Sequence, residues 1–345
     1  MRVAIVGATG YAGTEAVRLL AGHSRAEITY LGSHSQAGQS LAAVRPHLGA
    51  IGPRILEVPD AAVIADRADV ALLALPSRGS LVLAPHLVER GVRVIDFGAD
   101  FRLRDAATYA EYYGGPHTAA HWLGQAVYGL TEFHRPALAT ARLVANPGCY
   151  PTAALFALWP ALAAGFVDPQ DVIVDAKSGA SGAGRQMAQA LHFSELSENL
   201  WPYKLAGAHR HGPEIEQELA VAAATPVRVT FSPHQVPMVR GLLATCYARL
   251  RRPWDDAEAT AHYRSAYAGE PFVQVLERDL PATKATLGSN LVQVAVRVDA
   301  RARRLIAVAA IDNLGKGAAG QAIQNLNCMF GLDETLGLSR VGLMP

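Results

Sequence analysis

The strongest constraint in this sequence is a glycine turn that follows its first apolar run. Arg2–Val6 reads as a short strand and stops at Gly7-Ala8-Thr9-Gly10-Tyr11-Ala12-Gly13, after which residues 14–20 read as a helix. Strand, turn and helix in that order leave the first helical N–H groups facing outward and let a phosphate approach the backbone closely. The pattern predicts a dinucleotide-binding unit in which Gly7, Thr9, Gly10, Tyr11, Ala12 and Gly13 line the pyrophosphate. Glycine turns also serve ordinary loops, so the neighbouring segments matter. Residues 27–31, 69–75 and 92–96 are further short apolar runs, separated by helical or loop stretches such as 81–90. Strands alternating with helices predict a doubly wound parallel sheet, a Rossmann-type domain.

The end of the second strand bears on the nucleotide. A site for NAD places Asp or Glu about 20 residues beyond the turn, where it holds the ribose hydroxyls. Here the strand runs into Leu31-Gly32-Ser33-His34-Ser35, with no carboxylate and with side chains able to donate to a 2′-phosphate. NADP(H) is therefore expected, in contact with Ser33, His34 and Ser35.

Residues 142–145 look like another strand, ending at Asn146-Pro147-Gly148-Cys149, with a helix expected from about Tyr150. A thiol at a helix start has its thiolate stabilised by the helix dipole, and the same N–H groups suit an oxyanion. Cys246 and Cys328 read as small buried hydrophobes. The three cysteines are widely spaced and odd in number, which indicates neither a disulfide framework nor a zinc site, and no metal is expected. A thioester-forming thiolate beside a nicotinamide implies hydride transfer at the acyl carbon. Such chemistry calls for an acid/base, and His209-Arg210-His211, between Glu198-Asn199 and Pro213-Glu214, is the densest candidate. A histidine in that role is expected to titrate near neutrality.

Beyond about residue 165 the pattern changes. Residues 172–176, 227–231, 241–250, 291–298 and 305–311 are strand-like with few helices between them, which predicts an α+β domain with a mixed or antiparallel sheet. Ser178-Gly179-Ala180-Ser181-Gly182-Ala183-Gly184-Arg185 has the make-up of an anion nest, with Ser178, Gly179, Ser181 and Gly182 facing the cofactor. Asn313, in Asp312-Asn313-Leu314-Gly315-Lys316-Gly317, is placed to bond the nicotinamide amide. The expected division is residues 1–148 for nucleotide binding and 149–313 for catalysis, with 314–345 (a helix near 318–330) packing back on the first domain.

Composition excludes several classes. Half the residues are hydrophobic and the net charge is +1, so no global field attracts nucleic acid or an anionic membrane. Residues 147–167 carry no charge and are about long enough to span a bilayer, but Pro151, Pro160 and Gly165 interrupt them. With no leader pattern at the N-terminus, a cytoplasmic enzyme acting on a small molecule is expected.

Segments 7–13, 146–152, 178–185, 209–217, 232–241 and 312–317, in this order, resemble the N-acetyl-γ-glutamyl-phosphate reductases of arginine biosynthesis, relatives of aspartate-semialdehyde dehydrogenase. The resemblance spans essentially the whole chain. It implies attack by Cys149 on the γ-carbonyl of N-acetylglutamyl phosphate, loss of phosphate, and reduction of the thioester at the expense of NADPH. It further implies that His209 donates a proton as the thiohemiacetal collapses to the semialdehyde. Asn146, Arg185, Glu198 and His211 are the expected substrate contacts, Pro76 a cofactor contact, and a homodimer or homotetramer the expected assembly. The chain departs from the pattern at Pro76-Ser77-Arg78, where the family has histidine and glycine after the proline, and at Gly212, where Thr is commoner. The related reductase of lysine biosynthesis, which acts on an aminoadipyl phosphate held by a carrier protein, is the alternative. It sets Ala-Gly before the cysteine and Asn after it, against Pro147-Gly148-Cys149-Tyr150 here. A nucleotide-binding protein that kept the fold and lost the chemistry is a third reading, opposed by the presence of Cys149, the phosphate nest and His209 in one chain.

Overall fold

In the computed structural model, which describes residues 1–344, the chain divides into two units. One comprises Met1–Pro147 with Ala318–Leu338, the other Gly148–Gly317 with the residues from Ser339 on. Residue 345, the end of the expected C-terminal segment, lies outside the described residues. Within that segment only Gly320–Met329 is α-helical, behind a π-helical turn at Gly315–Ala319, and residues 314–317 go with the second unit.

The first unit is built on β1 (Arg2–Val6), β2 (Glu27–Gly32), β3 (Val70–Leu73), β4 (Arg93–Asp96), β5 (Val127–Tyr128) and β6 (Leu143–Ala145). Among the described residues they form one parallel sheet in the order β2-β1-β3-β4-β6-β5. Helices cover both faces, so the central strands are apolar without alternation: Val3, Ala4, Ile5 and Val6 are all fully buried. One face packs Val3, Ile5, Val17 and Leu20 against Ile323, Leu326 and Met329 of the C-terminal helix. Burial of each such side chain contributes about 1.5–3 kcal/mol. The other face packs Ala4, Val6 and Leu73 against Ile64, Leu87 and Val88. Two helices that the apolar pattern misses, Ala61–Arg67 and Ala106–Tyr113, start at Asp60 and Asp105, whose carboxylates accept N–H bonds from the first turn.

The second unit carries β7 (Val167–Ser178), β8 (Trp201–Pro202), β9 (Val229–Gln235), β10 (Leu242–Leu250), β11 (Val273–Val275), β12 (Val292–Asp299) and β13 (Arg304–Ile311). Their order is β11-β12-β13-β10-β7-β9-β8, mixed in direction, with β10 antiparallel to both β7 and β13 and β7 parallel to β9. Side chains alternate along most of β7 and β10. Val172, Val174, Ala176, Ala244, Cys246 and Ala307 are buried, while Ile173, Asp175, Tyr247 and Ile306 lie on the half-exposed face. Helices are more numerous here than the sequence reading expects. Cys149–Ala163 is apolar on nearly every side and packs against His211–Ala223, with Asp256–Ala266 beside it. No helix among the described residues is long and apolar enough to cross a membrane.

Candidate active site

In the first unit the glycine turn is shaped by contacts that only glycine tolerates. Gly7 has φ +82°, and a Cβ there would stand 2.2 Å from the Ala74 carbonyl oxygen. A Cβ on Gly13 would stand 2.2 Å from the Gly7 oxygen, whereas at Gly10 the nearest atom is 3.5 Å away. The turn is tied to the second strand by Gly7 and Ala8 N–H bonds to the Gly32 oxygen, at 2.9 and 3.2 Å. Gly10 caps helix Tyr11–Ala21 without a side-chain bond, so the N–H groups of Tyr11 and Ala12 point outward from an electropositive helix end. These features fit a dinucleotide's pyrophosphate.

At the end of β2, Thr9 and Ser33 are buried with their hydroxyl oxygens 3.4 Å apart, while His34 and Ser35 are exposed. Glu57 runs alongside through a backbone bridge to Gly32 but commits its carboxylate to Arg67 at 2.9 Å. Arg45 is a residue that sequence reasoning misses. Its guanidinium donates to the Thr9 carbonyl oxygen and, at 3.2 Å, to Thr14 Oγ1. No linear signal links positions so far apart. Pro76 begins an exposed turn closed by Gly79 N–H to its carbonyl at 2.9 Å. Arg78 there has φ +72°, held by a 2.6 Å bond from its N–H to Asp100, which is how the departure from the family pattern is accommodated.

The structure places Asn146 in the interior of the first unit. Its side chain is 1 % exposed, donating to the Ala318 oxygen at 3.0 Å and accepting from Asn325 at 3.0 Å. Arg102 Nε holds its carbonyl at 2.8 Å. The Asn146 side chain is thus held within the first unit by Ala318 and Asn325.

In the second unit Cys149 is the first residue of its helix and is partly exposed. Gly148 caps that helix with φ −70° and ψ 153° and no side-chain cap bond, leaving the Cys149 and Tyr150 N–H groups at an electropositive end. A Cβ on Gly317 would stand 2.9 Å from Cys149 Cβ, so glycine is needed to seat the cysteine. His209, Tyr150 and Tyr203 gather nearby: the His209 ring lies 5.8 Å from that of Tyr150 and 5.4 Å from that of Tyr203. The Tyr203 hydroxyl donates to that of Tyr150 at 3.2 Å, which donates to the His234 oxygen at 3.1 Å. Burial pushes the Tyr203 phenol up to about 12 and the Tyr150 phenol well above its usual range, with the Cys149 sulfur adding to both. Tyr203 also went unnoticed in the sequence, since a single tyrosine between Pro202 and Lys204 carries no pattern.

His209 itself is 7 % exposed, and its Nδ1 accepts the His211 N–H at 3.0 Å, which places the neutral ring's proton on Nε2. Burial first, then the Lys204 and Arg210 cations, lower its pKa to about 3. The cationic ring is poorly solvated and repelled by its neighbours. His211 opens the next helix, its ring 4.8 Å from that of His209. Glu198 and Arg185 are both exposed, Glu198 with φ +60°.

Several polar groups of the expected nest at 178–185 have partners within the protein. Gly179, Ala180 and Ser181 donate their N–H groups to the oxygens of Gly241, Met238 and Val239 at 2.9–3.1 Å, and Gly182 donates to Gly179 at 3.1 Å. Ser178 Oγ donates to the Gly179 oxygen and Ser181 Oγ accepts from Asn313. The N–H groups of Gly179, Ala180 and Ser181 brace the 238–241 turn. Asn313 is similarly occupied, accepting from Gly241 N–H at 2.8 Å and donating to Ser181 at 2.9 Å, so its carbonyl is taken by the protein. Asp312, fully buried, binds Arg240 at 2.8 Å and completes this framework.

A parallel dinucleotide-type sheet together with a cysteine-led helix on a mixed sheet is the architecture of semialdehyde dehydrogenases. Residues 2–141 match the NAD binding domain of that family and residues 149–313 its dimerisation domain. The chain is also similar to solved aspartate-semialdehyde dehydrogenases: enzyme II of Vibrio cholerae (TM-score 0.73, 20% identity, 96% of this chain and 98% of that one) and that of Candida albicans solved with NADP (TM-score 0.66, 16% identity, 95% and 98%). Much nearer in sequence are the N-acetyl-γ-glutamyl-phosphate reductases of Symbiobacterium thermophilum, 49% identical over 99% of this chain and 98% of the relative, and Desulforudis audaxviator, 50% identical over the whole of both. The chain belongs to the N-acetyl-γ-glutamyl-phosphate reductase family.

Proposed function

We propose that this protein reduces N-acetyl-γ-glutamyl phosphate to N-acetylglutamate 5-semialdehyde and phosphate, with NADPH as reductant and Cys149 as nucleophile. The observation that carries the reading is Cys149 at an uncapped helix start, followed by Tyr150, whose ring lies 5.8 Å from that of the buried His209, in a chain about half identical to reductases of that name. The Cys149 thiolate attacks the γ-carbonyl carbon; the C–S bond forms, the bond to the phosphate oxygen breaks, and phosphate leaves. The Cys149 and Tyr150 N–H groups supply donors for the tetrahedral oxyanion. When bound, the nicotinamide supplies a hydride to the acyl carbon. The resulting thiohemiacetal oxyanion collapses by expelling the Cys149 thiolate. Hydride transfer and collapse need no proton; the one proton that the cycle consumes goes from solvent to the departing phosphate, which leaves as hydrogen phosphate. His209 acts by offering Nε2–H to the sulfur and the oxyanion, and a ring that stays neutral suits that task.

Gly7, Gly10 and Gly13 with the first turn of Tyr11–Ala21 are the residues that hold the cofactor. Preference for NADP(H) is supported by Ser33 beside Thr9, by a Glu57 carboxylate committed to Arg67, and by the Arg45 cation gripping the same turn. Pairing of two copies is supported by the half-exposed sheet face bearing Ile173, Leu243, Tyr247, Ile306 and Val308. We assign the enzyme to the cytoplasm, where a thiol nucleophile is kept reduced. The aminoadipyl alternative is not favoured by the relatives' names. The test is NADPH oxidation with each acyl phosphate, on wild type and Cys149→Ser. Activity on the N-acetylglutamyl substrate should fall by several orders of magnitude in the variant while NADPH still binds. A variant that stays active ends the covalent reading.

A further inference from the structure

We infer that Glu214 is a positioning residue for Cys149, acting through the backbone of Gly148. The inference rests on Cys149 being the nucleophile. Glu214 is fully buried in the first turn of helix His211–Ala223, and its Oε1 accepts the Gly148 N–H at 2.8 Å. On the other side of the same residue, the Gly148 carbonyl accepts from both the N–H and the Oγ1 of Thr152, each at 2.9 Å. Both peptide planes flanking the Gly148 Cα are thus held, one by a side chain from another helix and one by the Cys149 helix itself. A glycine without these bonds would be the loosest point at the helix entrance. Gly317 backs the Cys149 Cβ from a third direction.

A buried carboxylate is expensive unless hydrogen-bonded, so the Gly148 N–H both stabilises Glu214 and is oriented by it. What this arrangement requires of residue 214 is an acceptor oxygen at the right place. It does not require a proton to move. Glutamine supplies the same oxygen, whereas alanine removes it and leaves the Gly148 N–H unmatched. That separates positioning from acid/base chemistry by the same carboxyl.

The experiment compares wild type, Glu214→Gln and Glu214→Ala, using acyl phosphate alone to read the burst of phosphate release, and full turnover to read kcat and KM across pH. Glu214→Gln should keep its burst rate within about threefold and its pH profile unchanged. Glu214→Ala should slow the burst by about 10–100-fold at little-changed KM, the scale of a misplaced reacting group. If Glu214→Gln is as slow as Glu214→Ala and loses a titrating limb, the carboxyl is an acid/base and positioning is overturned. A Glu214→Ala enzyme with wild-type burst also overturns it. Absence of a burst in wild type removes the thioester reading itself, and the proposal with it.

Discussion

Replacing His209 with phenylalanine should flatten the acid limb of this protein's stability. The folded-state pKa of His209 is about 3, against 6.5 for an unperturbed histidine, because burial and two cations oppose its charge. A depressed value means that the unfolded chain binds a proton which the folded one refuses. The contribution is therefore fully present above about pH 6.5 and drains away as pH falls toward about 3. At about pH 5, one and a half pH units below the unfolded value, wild type should have lost about 2 kcal/mol through this group alone. That figure holds wherever the folded value lies well below 5. Phenylalanine keeps the ring among Tyr150, Tyr203 and Phe231 but cannot titrate, and it forfeits the His211 N–H bond equally at every pH. Urea unfolding of both proteins at about pH 7.5 and about pH 5 gives four free energies. The wild-type loss between the two pH values should exceed the variant's by about 2 kcal/mol. Equal losses would show that His209 is not buried in a neutral state, and the role given to its Nε2–H would fall with it.

Three other outcomes are expected. Gly13→Ala forces a Cβ to within 2.2 Å of the Gly7 oxygen. It should weaken NADPH binding in a fluorescence titration by tenfold or more, on the order of 1.4 kcal/mol, while iodoacetamide still labels Cys149 normally. Unchanged affinity would mean that the turn does not hold the nucleotide. Ser33→Asp should cut the ratio of kcat/KM for NADPH over NADH by about tenfold or more through charge repulsion, and an unaltered ratio would misplace the 2′-phosphate. Asp96 is fully buried, and burial, then the charge of Asp100, pushes its carboxyl up to about 7. A raised carboxyl costs stability as pH climbs from its unfolded value near 3.8 to about 7, so the melting temperature of Asp96→Asn should gain on wild type across that range and level off above it. A constant difference would contradict the assignment.

Local chemistry in the sequence gave away the parallel sheet and the cysteine. The glycine spacing at 7–13, the continuous apolar strands and the Asn-Pro-Gly-Cys turn each act over a few residues, and each is visible where it acts. Hydrogen-bond partnership across long separations is what the sequence does not display. Ser178–Gly182 looks like a nest because its composition is right, but the oxygens of 238–241 claim its N–H groups. Asn146 and Asn313 look like ligand contacts because they are polar beside glycines, yet Asn325 and Gly241 claim them first. Conversely, Arg45 and Tyr203 become site residues only when folding brings Thr9 and His209 to them. His209 was found by its neighbours in sequence, but its protonation depends on burial, which a linear pattern does not display.

The return of the C-terminal helix to the first unit has a consequence for biosynthesis. Val3, Ile5, Val17 and Leu20 leave the ribosome about 300 residues before Ile323, Leu326 and Met329, which form part of their cover. At translation rates of about 5–20 residues per second, that face of the nascent sheet waits on the order of ten seconds or longer for its partner. Asn325 arrives equally late to complete the bonds of Asn146, Gly129 and Thr131. The second unit, contiguous over Gly148–Gly317, has nearly all its strands synthesised before then. A ribosome-stalled chain ending shortly after Pro147 should therefore be recognised by chaperones and cut readily by proteases, although it contains every strand of its sheet.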